Sequence, residues 1–182
     1  MALRGFTLIC LIALGLLCAP LEARGQADGA QAFDWEIGSW TTHVQVRAPL
    51  DANAAWAQFD GASEVRALSN GRANTVDLSL TNAAGNRIEG VALRLHNPQT
   101  GEWNINYASM RDGALTAPVY GTFADGRGVF YGQDTVDGRV VVVRFVISNV
   151  TANSARFVQS YSADGGQTWI DNWIATDTRR RR

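Results

Sequence analysis

The strongest constraint on the fold of this chain is a succession of short runs in which apolar and polar residues alternate. An alternation with period two places every second side chain on one face of a β-strand. No amphipathic helix longer than about two turns interrupts the succession. The pattern therefore predicts about ten short strands at regular spacing. The runs occupy residues 40–46, 55–68, 74–80, 88–96, 103–110, 119–123, 128–136, 140–147, 155–161 and 169–176.

The connections between these runs carry residues that form tight turns. Asn70-Gly71 and Asp137-Gly138 are two-residue hairpin signals. No linker or repeat divides the chain after its first residues. Antiparallel strands joined by short turns form sandwiches or barrels. We predict an all-β fold, a single antiparallel up-and-down β-barrel of about ten strands over residues 28–178.

Size and charge narrow the classes of protein. The chain has 182 residues, 46% of them hydrophobic, which is enough for one domain with a sizeable core. Its net charge of −1 creates no field that attracts nucleic acid, so no nucleic-acid partner is expected. The sequence gives no indication of an oligomeric state.

Residues 1–27 have the order of a secretory signal peptide. Arg4 supplies the positive end, residues 6–17 form an apolar run that is short for a membrane span, and Pro20 ends it. We expect removal of this segment, no membrane span after processing, and a bacterial periplasmic or extracellular location. An uncleaved anchor is the alternative, and lipidation of Cys18 is disfavoured because Leu17 is not a small residue.

Both cysteines, Cys10 and Cys18, lie in this leader. A processed chain would have no disulfide, no thiol nucleophile and no cysteine metal site. At the other terminus, residues 179–182 are four consecutive arginines, for which we predict a frayed and solvated tail.

The first run opens with Gly38-Ser39-Trp40, which resembles the Gly-x-Trp signature of the first lipocalin strand. In that superfamily the Trp plugs the closed end of the barrel, and the Gly lets the backbone pass close to it. The chain also resembles bacterial secreted domains of the calycin-like kind and the domain-of-unknown-function family numbered 1579. This resemblance implies an up-and-down barrel with a lumen and no established activity. It is carried by residues 33–40, 97–103, 143–148 and 154–173.

Residues 162–169 read Ser-Ala-Asp-Gly-Gly-Gln-Thr-Trp and resemble the Asp-box of sialidase-like propellers. That box is a hairpin turn, in which Asp164 accepts backbone hydrogen bonds, Gly166 supplies an unusual φ and Trp169 tucks under the turn. A propeller needs several blades of four strands, and one box in a chain of this length does not provide them. We therefore predict a structural turn and no glycosidase site.

His43 and His96 are the only histidines. A metal site would need further ligands beside them, so we predict no metal and no cofactor, and we place both side chains on the surface. Ligation of a haem by His96 is the alternative. The Thr-Thr-His-Val sequence after Trp40 lacks the glycines that mark nitrobindin-type haem barrels.

Five residues are candidates for ligand binding. Arg94 and Arg144 each interrupt an apolar strand, and a guanidinium in the lumen would orient an anionic head group. Asn104 and Asn106 would supply polar groups beside Tyr107. The alternative for the charged and amide side chains is the solvent-facing side of each strand.

The leading hypothesis is a binding protein for a small apolar or amphiphilic molecule in the lumen. The alternatives are an enzyme on the same barrel and a structural or interaction protein with a packed lumen. No nucleophile elbow or phosphate loop is present, and no spacing selects a pair of carboxylates. A cavity with apolar walls would favour binding, whereas a buried carboxylate with a raised pKa would favour catalysis.

Overall fold

The alternating runs form ten β-strands in the part of the chain that the structure, a computed structural model, describes, residues 29–181. The leader predicted at residues 1–27 lies outside it. Short 3₁₀ turns occupy Gly29–Gln31, Asp34–Glu36 and Ser69–Gly71. The strands are β1 Gly38–Val46, β2 Ala57–Leu68, β3 Ala73–Thr81, β4 Arg87–His96, β5 Trp103–Ser109, β6 Val119–Ala124, β7 Arg127–Val136, β8 Arg139–Ser148, β9 Ser154–Ser162 and β10 Ile170–Arg179.

Every strand pairs antiparallel with its neighbours in sequence, and β1 pairs with β10, so the sheet closes into an up-and-down barrel. The predicted fold class is confirmed. Closure leaves no sheet edge along the β1–β10 contact, where Trp40 lies opposite Arg179 in the register. In the range 29–181, no helix has the length and apolar character needed to cross a membrane.

The alternation in the sequence sets which side chains face inward. In β1, Trp40, Thr42 and Val44 are buried, whereas Thr41 lies on the outer face. This is the face that the alternation predicts for the core, and burial of the large side chains on it stabilises the barrel.

The segment before β1 covers one end of the barrel, which we call the closed end. Phe33 is only 1% exposed, and its ring contacts Trp103 with centroids 4.9 Å apart and Phe123 at 5.0 Å. Trp40 is fully buried, and its indole N–H donates to the carbonyl oxygen of Glu36 at 2.6 Å. Aromatic burial and a satisfied indole N–H therefore hold this segment against the strand ends.

Arg179 joins the end of β10 to the segment before β1 at this closed end. Its guanidinium lies over the Trp40 ring, 4.2 Å from the centroid, and it donates to the carbonyl oxygens of Trp35 and Ile37. Gly38 has a φ of 124°, and a Cβ there would come within 2.9 Å of the Arg179 Nη1 atom. A side chain at position 38 would thus displace the guanidinium.

The prediction of a solvated tail from residue 179 is wrong for Arg179. Arg179 is the last residue of β10, and its Nε also donates to the carbonyl oxygen of Ala152 at 2.7 Å. The backbone N–H of Arg180 donates to the carbonyl oxygen of Ser39 at 2.9 Å. Arginine at 179 is bound because its planar group offers several donors to carbonyls that the strand ends leave unpaired.

One seam of the sheet is short. β5 and β6 pair at only three positions, from Trp103↔Gly121 to Ile105↔Val119, whereas β7 and β8 pair at nine. Beyond Ile105, β5 stays paired with β4 as far as Ser109 but no longer pairs with β6. Residues 110–118 fold back along this side of β5, where the Thr116 N–H donates to the Tyr107 carbonyl oxygen at 2.7 Å. We call this region the β5–β6 seam.

Residues 162–169 form the turn between β9 and β10. Asp164 Oδ1 accepts the backbone N–H groups of Gln167 at 3.0 Å and Thr168 at 2.9 Å, and Gly166 has a φ of 94°. Hydrogen bonds from the side chains of Ser162 and Thr168 hold the pKa of Asp164 well below its usual value. The indole N–H of Trp169 donates to the Gly166 carbonyl oxygen at 3.0 Å. These contacts make the box a structural turn.

Candidate ligand-binding cavity

The barrel encloses a cavity of about 210 Å³. The closed end bounds it on one side, and residues of the opposite end and of the β5–β6 seam, among them Trp173 and Thr116, line the other. Most of the wall is apolar, which suits the burial of an apolar molecule. Representative wall residues from six different strands are Val44, Val76, Ile105, Val143, Phe157 and Ala175.

Arg94 and Glu36 form an ion pair at the cavity wall near the closed end. The Arg94 Nη1 and Nη2 atoms donate to the two carboxylate oxygens of Glu36, and the side chains are 9% and 12% exposed. The guanidinium lies over the Phe33 ring, 4.4 Å from its centroid. A bidentate pair of this kind fixes both groups and leaves the charge of Arg94 matched by Glu36.

Asp177 lies beside this ion pair. Its Oδ1 accepts the hydroxyl of Thr42 at 2.5 Å, and the Thr42 oxygen is 3.0 Å from the Ser63 hydroxyl. Burial raises the pKa of Asp177 to about 6; the negative charge of Glu36 adds to this rise, whereas the Thr42 hydrogen bond and Arg94 oppose it. We name Glu36, Arg94, Thr42, Ser63 and Asp177 the deep polar group.

A second set of polar side chains lies toward the opposite end, and we name it the outer polar group: Asp134, Gln159, Tyr161 and Asn172. The Tyr161 hydroxyl donates to Asp134 Oδ2 at 2.9 Å, and the Gln159 amide donates to the Tyr161 oxygen at 3.2 Å and to Asn172 Oδ1 at 3.1 Å. Burial raises the pKa of Tyr161, and the charge of Asp134 and its hydrogen bond raise it further. Tyr161 is therefore a neutral donor.

Tyr107 lines the cavity and lies over β4 because position 90 has no side chain. A Cβ on Gly90 would come within 2.1 Å of the Tyr107 hydroxyl oxygen. Burial raises the pKa of Tyr107, with a smaller contribution from the charge of Asp112. Glycine at position 90 thus makes room for an aromatic wall at the β5–β6 seam.

Of the five predicted ligand-binding residues, the structure brings Arg94 and Tyr107 to the cavity wall. Asn104 and Asn106 lie on the outer face, since Trp103, Ile105 and Tyr107 take the inner face of β5. Their amides hydrogen-bond to each other at 2.7 Å. The lumen placement considered for these two residues is therefore not what the structure shows.

Arg144 also lies outside the lumen. Val143 and Phe145, its neighbours in β8, line the cavity, so the alternation turns Arg144 outward. Its guanidinium lies over the ring of Trp169, 4.1 Å from the centroid, and donates to the Ser160 hydroxyl at 3.4 Å. Arg144 therefore supports the outer surface near the β9–β10 turn and cannot orient a molecule in the lumen.

The two histidines differ. His43 is on the outer face with Nδ1 2.7 Å from Asp60 Oδ1. His96 is buried at the closed end with its ring 5.4 Å from that of Trp103, so its predicted surface position is wrong. It shares the inner face of β4 with Arg94. Within residues 29–181, no three His, Cys, Asp or Glu side chains lie close enough together to hold a metal ion.

The sequence interpretation missed Asp177, Glu36 and Tyr161 as cavity residues. Asp177 carries a readable signal, because it follows Trp173 and Ala175 at a spacing of two on the same face of β10. Glu36 carries none, since it lies in a 3₁₀ turn before β1, where no alternation assigns an inner face.

No protein-family model and no curated protein sequence matches the chain. Solved structures do resemble it. The S-type phycobiliprotein lyase CPES from Guillardia theta superposes with a TM-score of 0.59 at 11% identity, over 85% of this chain and 96% of that one. The protein Rv2717c from M. tuberculosis has a TM-score of 0.59 at 13% identity, over 84% of this chain and 98% of that one. The shared fold is a calycin-like barrel.

Proposed function

We propose that the protein binds a small, largely apolar molecule in the lumen of its barrel. The observation that carries this proposal is the cavity of about 210 Å³ inside a barrel whose other end is plugged by Phe33 and Trp40. Small barrels without a ligand fill their interior with side chains. Here the apolar side chains leave the centre of the barrel unfilled. The few polar groups lie together in the deep polar group and the outer polar group, as polar groups do in ligand sites.

The volume limits the size of the ligand. Ligand pockets usually measure about 300–1,000 Å³, while an apolar cavity of about 150 Å³ is enough for benzene. A cavity of about 210 Å³ therefore suits one ring with a short substituent, or a short aliphatic chain. A haem or a long-chain fatty acid is larger than this cavity and would have to extend beyond it.

Export is part of the proposal. The order of charge, apolar run and small residues in residues 1–27 supports secretion to the periplasm or beyond, where the barrel would meet its ligand. The intact mass of protein recovered from outside the cytoplasm tests this. A mass that still includes Met1 would contradict removal of the leader.

A lumen-filling variant tests the binding function. Ala92 lines the cavity on β4, and Phe in its place would occupy the space of a bound ring. The matched control is Ala62→Phe, which adds the same side chain on the outer face of β2. Both variants are checked by thermal melting and then titrated with 2-phenylethanol by calorimetry.

We expect 2-phenylethanol to bind the parent protein and Ala62→Phe, and Ala92→Phe to lose binding while remaining folded. Unchanged binding in Ala92→Phe would show that the molecule binds elsewhere. Native mass spectrometry of protein purified from its source adds an independent measurement, because a co-purifying small molecule would identify the ligand directly.

The raised pKa of Asp177 favours a second candidate function. A partly buried carboxylate with a pKa of about 6 is suited to move a proton on a bound molecule. In this alternative, incubation with the co-purified molecule yields a product of different mass or structure, and Asp177→Asn still binds the molecule but forms no product. Recovery of the molecule unchanged from the parent protein would contradict catalysis.

A further inference from the structure

The charged groups of the cavity do not balance. Among the cavity-lining residues in the range 29–181, three carboxylates, those of Glu36, Asp134 and Asp177, accompany one inward guanidinium, that of Arg94. Arg156 contributes to the wall through β9, but its neighbours Ala155 and Phe157 take the inner face, so the alternation turns its side chain outward. With all four inner groups charged, the cavity carries an excess of negative charge.

The guanidinium of Arg94 is already paired. Glu36 holds both Nη atoms of Arg94. An anionic head group would have to displace Glu36 and then lie beside the carboxylate of Asp177. The expectation from the sequence that Arg94 orients an anion therefore does not agree with the geometry, because removing one partner of a buried ion pair is costly.

The two remaining carboxylates have neutral partners. Asp177 accepts the hydroxyl of Thr42, and Asp134 accepts the hydroxyl of Tyr161 and the backbone N–H of Thr135. Neither carboxylate forms an ion pair with any residue in the range 29–181. Each can therefore still accept a positively charged partner, and a partly buried site strengthens that attraction.

The aromatic composition of the wall points the same way. An aromatic face attracts a cation electrostatically, and the attraction grows when the cation is removed from water. Rings and carboxylates together are a suitable environment for an ammonium group with an apolar body. The aromatic residues of the wall are Trp35, Tyr107, Phe145, Phe157, Tyr161 and Trp173.

We propose that the ligand of this cavity is a small organic cation, an amine on a single-ring or short aliphatic body, with its ammonium group beside Asp177 in the deep polar group. This inference rests on the proposed binding function and adds the chemical class of the ligand. The apolar walls hold the body of the molecule, and the Asp177 carboxylate selects its charge.

Protonation of Asp177 competes with such a ligand. Burial raises the pKa of Asp177 to about 6, so the carboxyl group is mostly neutral at pH 5 and mostly ionised at pH 7.5. Affinity for a cation should therefore rise over this interval, and affinity for a neutral molecule should not. The groups that face Asp177 from neighbouring elements are Thr42 on β1, Ser63 on β2, Arg94 on β4, Glu36 before β1 and Ala155 on β9.

Three probes of nearly the same size and different charge test the proposal. They are 2-phenylethylamine, 2-phenylethanol and phenylacetate, titrated by calorimetry into the full-length processed protein at pH 7.5 and again at pH 5. We expect the amine to bind about tenfold more tightly than the alcohol at pH 7.5, phenylacetate to bind most weakly, and the preference for the amine to shrink at pH 5.

Asp177→Asn should remove most of the preference for the amine over the alcohol. The matched control is Asp60→Asn, which removes the same charge on the outer face of β2, where Asp60 contacts His43. Should Asp177→Asn fail to fold, the pH series on the parent protein still measures the same competition between proton and cation.

Each failure has its own signature. Equal affinities for amine and alcohol at both pH values would overturn the cationic ligand and leave the binding function intact. Tightest binding of phenylacetate would also overturn it and would favour Arg94 as the recognition group. If none of the three probes binds, the cationic ligand and the proposed function both fail for molecules of this size.

Discussion

The closed end of the barrel and the end opposite to it differ in how their side chains are used. At the closed end, Phe33 and Trp40 are 1% and 0% exposed, and the indole N–H of Trp40 is hydrogen-bonded to Glu36. At the opposite end, the chain leaves the sheet at the β5–β6 seam, and Met110 and Leu115 are 55% and 65% exposed.

The difference separates stability from binding. Fully buried aromatic rings with satisfied polar atoms contribute free energy of unfolding, whereas a cavity removes contacts that its lining would otherwise make. The deep polar group lies between the two regions. Its Asp177 carboxylate is partly buried and accepts the Thr42 hydroxyl, while Arg94 is paired with Glu36. The proposed ligand site therefore lies next to the closed end, whose aromatic side chains contribute to stability.

The largest effect on stability should come from truncating Trp40 at the closed end. Trp40→Ala should lower the free energy of unfolding by roughly 3–5 kcal/mol, because a buried Trp leaves a cavity when truncated. Trp56, in the β1–β2 loop at the opposite end, is 36% exposed and its ring stacks against the Arg47 guanidinium, so Trp56→Ala should cost about 1 kcal/mol. Denaturant unfolding of both variants measures this, and equal losses would contradict the division between the two ends.

A second prediction concerns the stability that the protein loses when the Asp177 carboxyl group ionises in its partly buried position. The folded-state pKa of Asp177 is about 6, above the 3.8 of a free carboxyl group, so the folded protein binds more protons between pH 4 and 6. Stability from this group is present below about pH 4 and is lost as the pH rises through about 6. Asp177→Asn should remove that loss. A shift of about two pKa units sets the upper limit of the loss at about 3 kcal/mol.

The measurement is the free energy of unfolding of the parent protein and of Asp177→Asn as a function of pH. The difference between the two curves should grow in favour of the variant from pH 4 to 6 and then stay constant. A difference that is independent of pH would mean that Asp177 is solvated and is not part of a buried site.

The sequence predicts the strands well and their inner faces less well. In β4, the apolar residues Val91, Leu93 and Leu95 suggest the core face, yet the inner face carries Gly90, Ala92, Arg94 and His96. Alternation defines two faces but does not say which is inward. The answer depends on the neighbouring strand, where the Tyr107 side chain fills the space above Gly90.

The same limit explains the outcome for the predicted site. Arg94 and Arg144 both interrupt apolar strands, but only Arg94 points toward the lumen. On β4 the inner face carries Arg94 itself, whereas on β8 it carries the two neighbours of Arg144. The β9–β10 turn was predictable because its hydrogen bonds are local in sequence, from Ser162 to Thr168. Glu36 reaches Arg94 across 58 positions, and no local pattern announces such a contact.

A third prediction tests the hydrogen bonds by which Arg179, at the end of β10, holds the segment before β1. Arg179→Gln should lower the free energy of unfolding by about 2 kcal/mol, because backbone carbonyls of Trp35, Ile37 and Ala152 lose a charged donor. Its neighbour Arg180 is the control. The side chain of Arg180 makes one exposed contact, with Thr41 at 3.3 Å, so Arg180→Gln should change stability by less than about 0.5 kcal/mol. Similar losses in both variants would indicate a general effect of charge.

The smallest effect should come from the turn between β9 and β10, at the end away from the plug. Asp164→Ala removes the acceptor of two backbone N–H groups and the Thr168 hydroxyl, so these groups turn to water and the turn opens more often. Amide hydrogen exchange at Gln167 and Thr168 should become faster, while exchange at Trp40 in the plug and the affinity for 2-phenylethanol stay as in the parent protein. Asp171→Asn, a substitution on the outer face of the adjoining strand, is the control for altered charge. Faster exchange throughout β1 and β10 would show instead that the turn and the closed end unfold as one unit. The barrel would then transmit a local opening around its whole circumference.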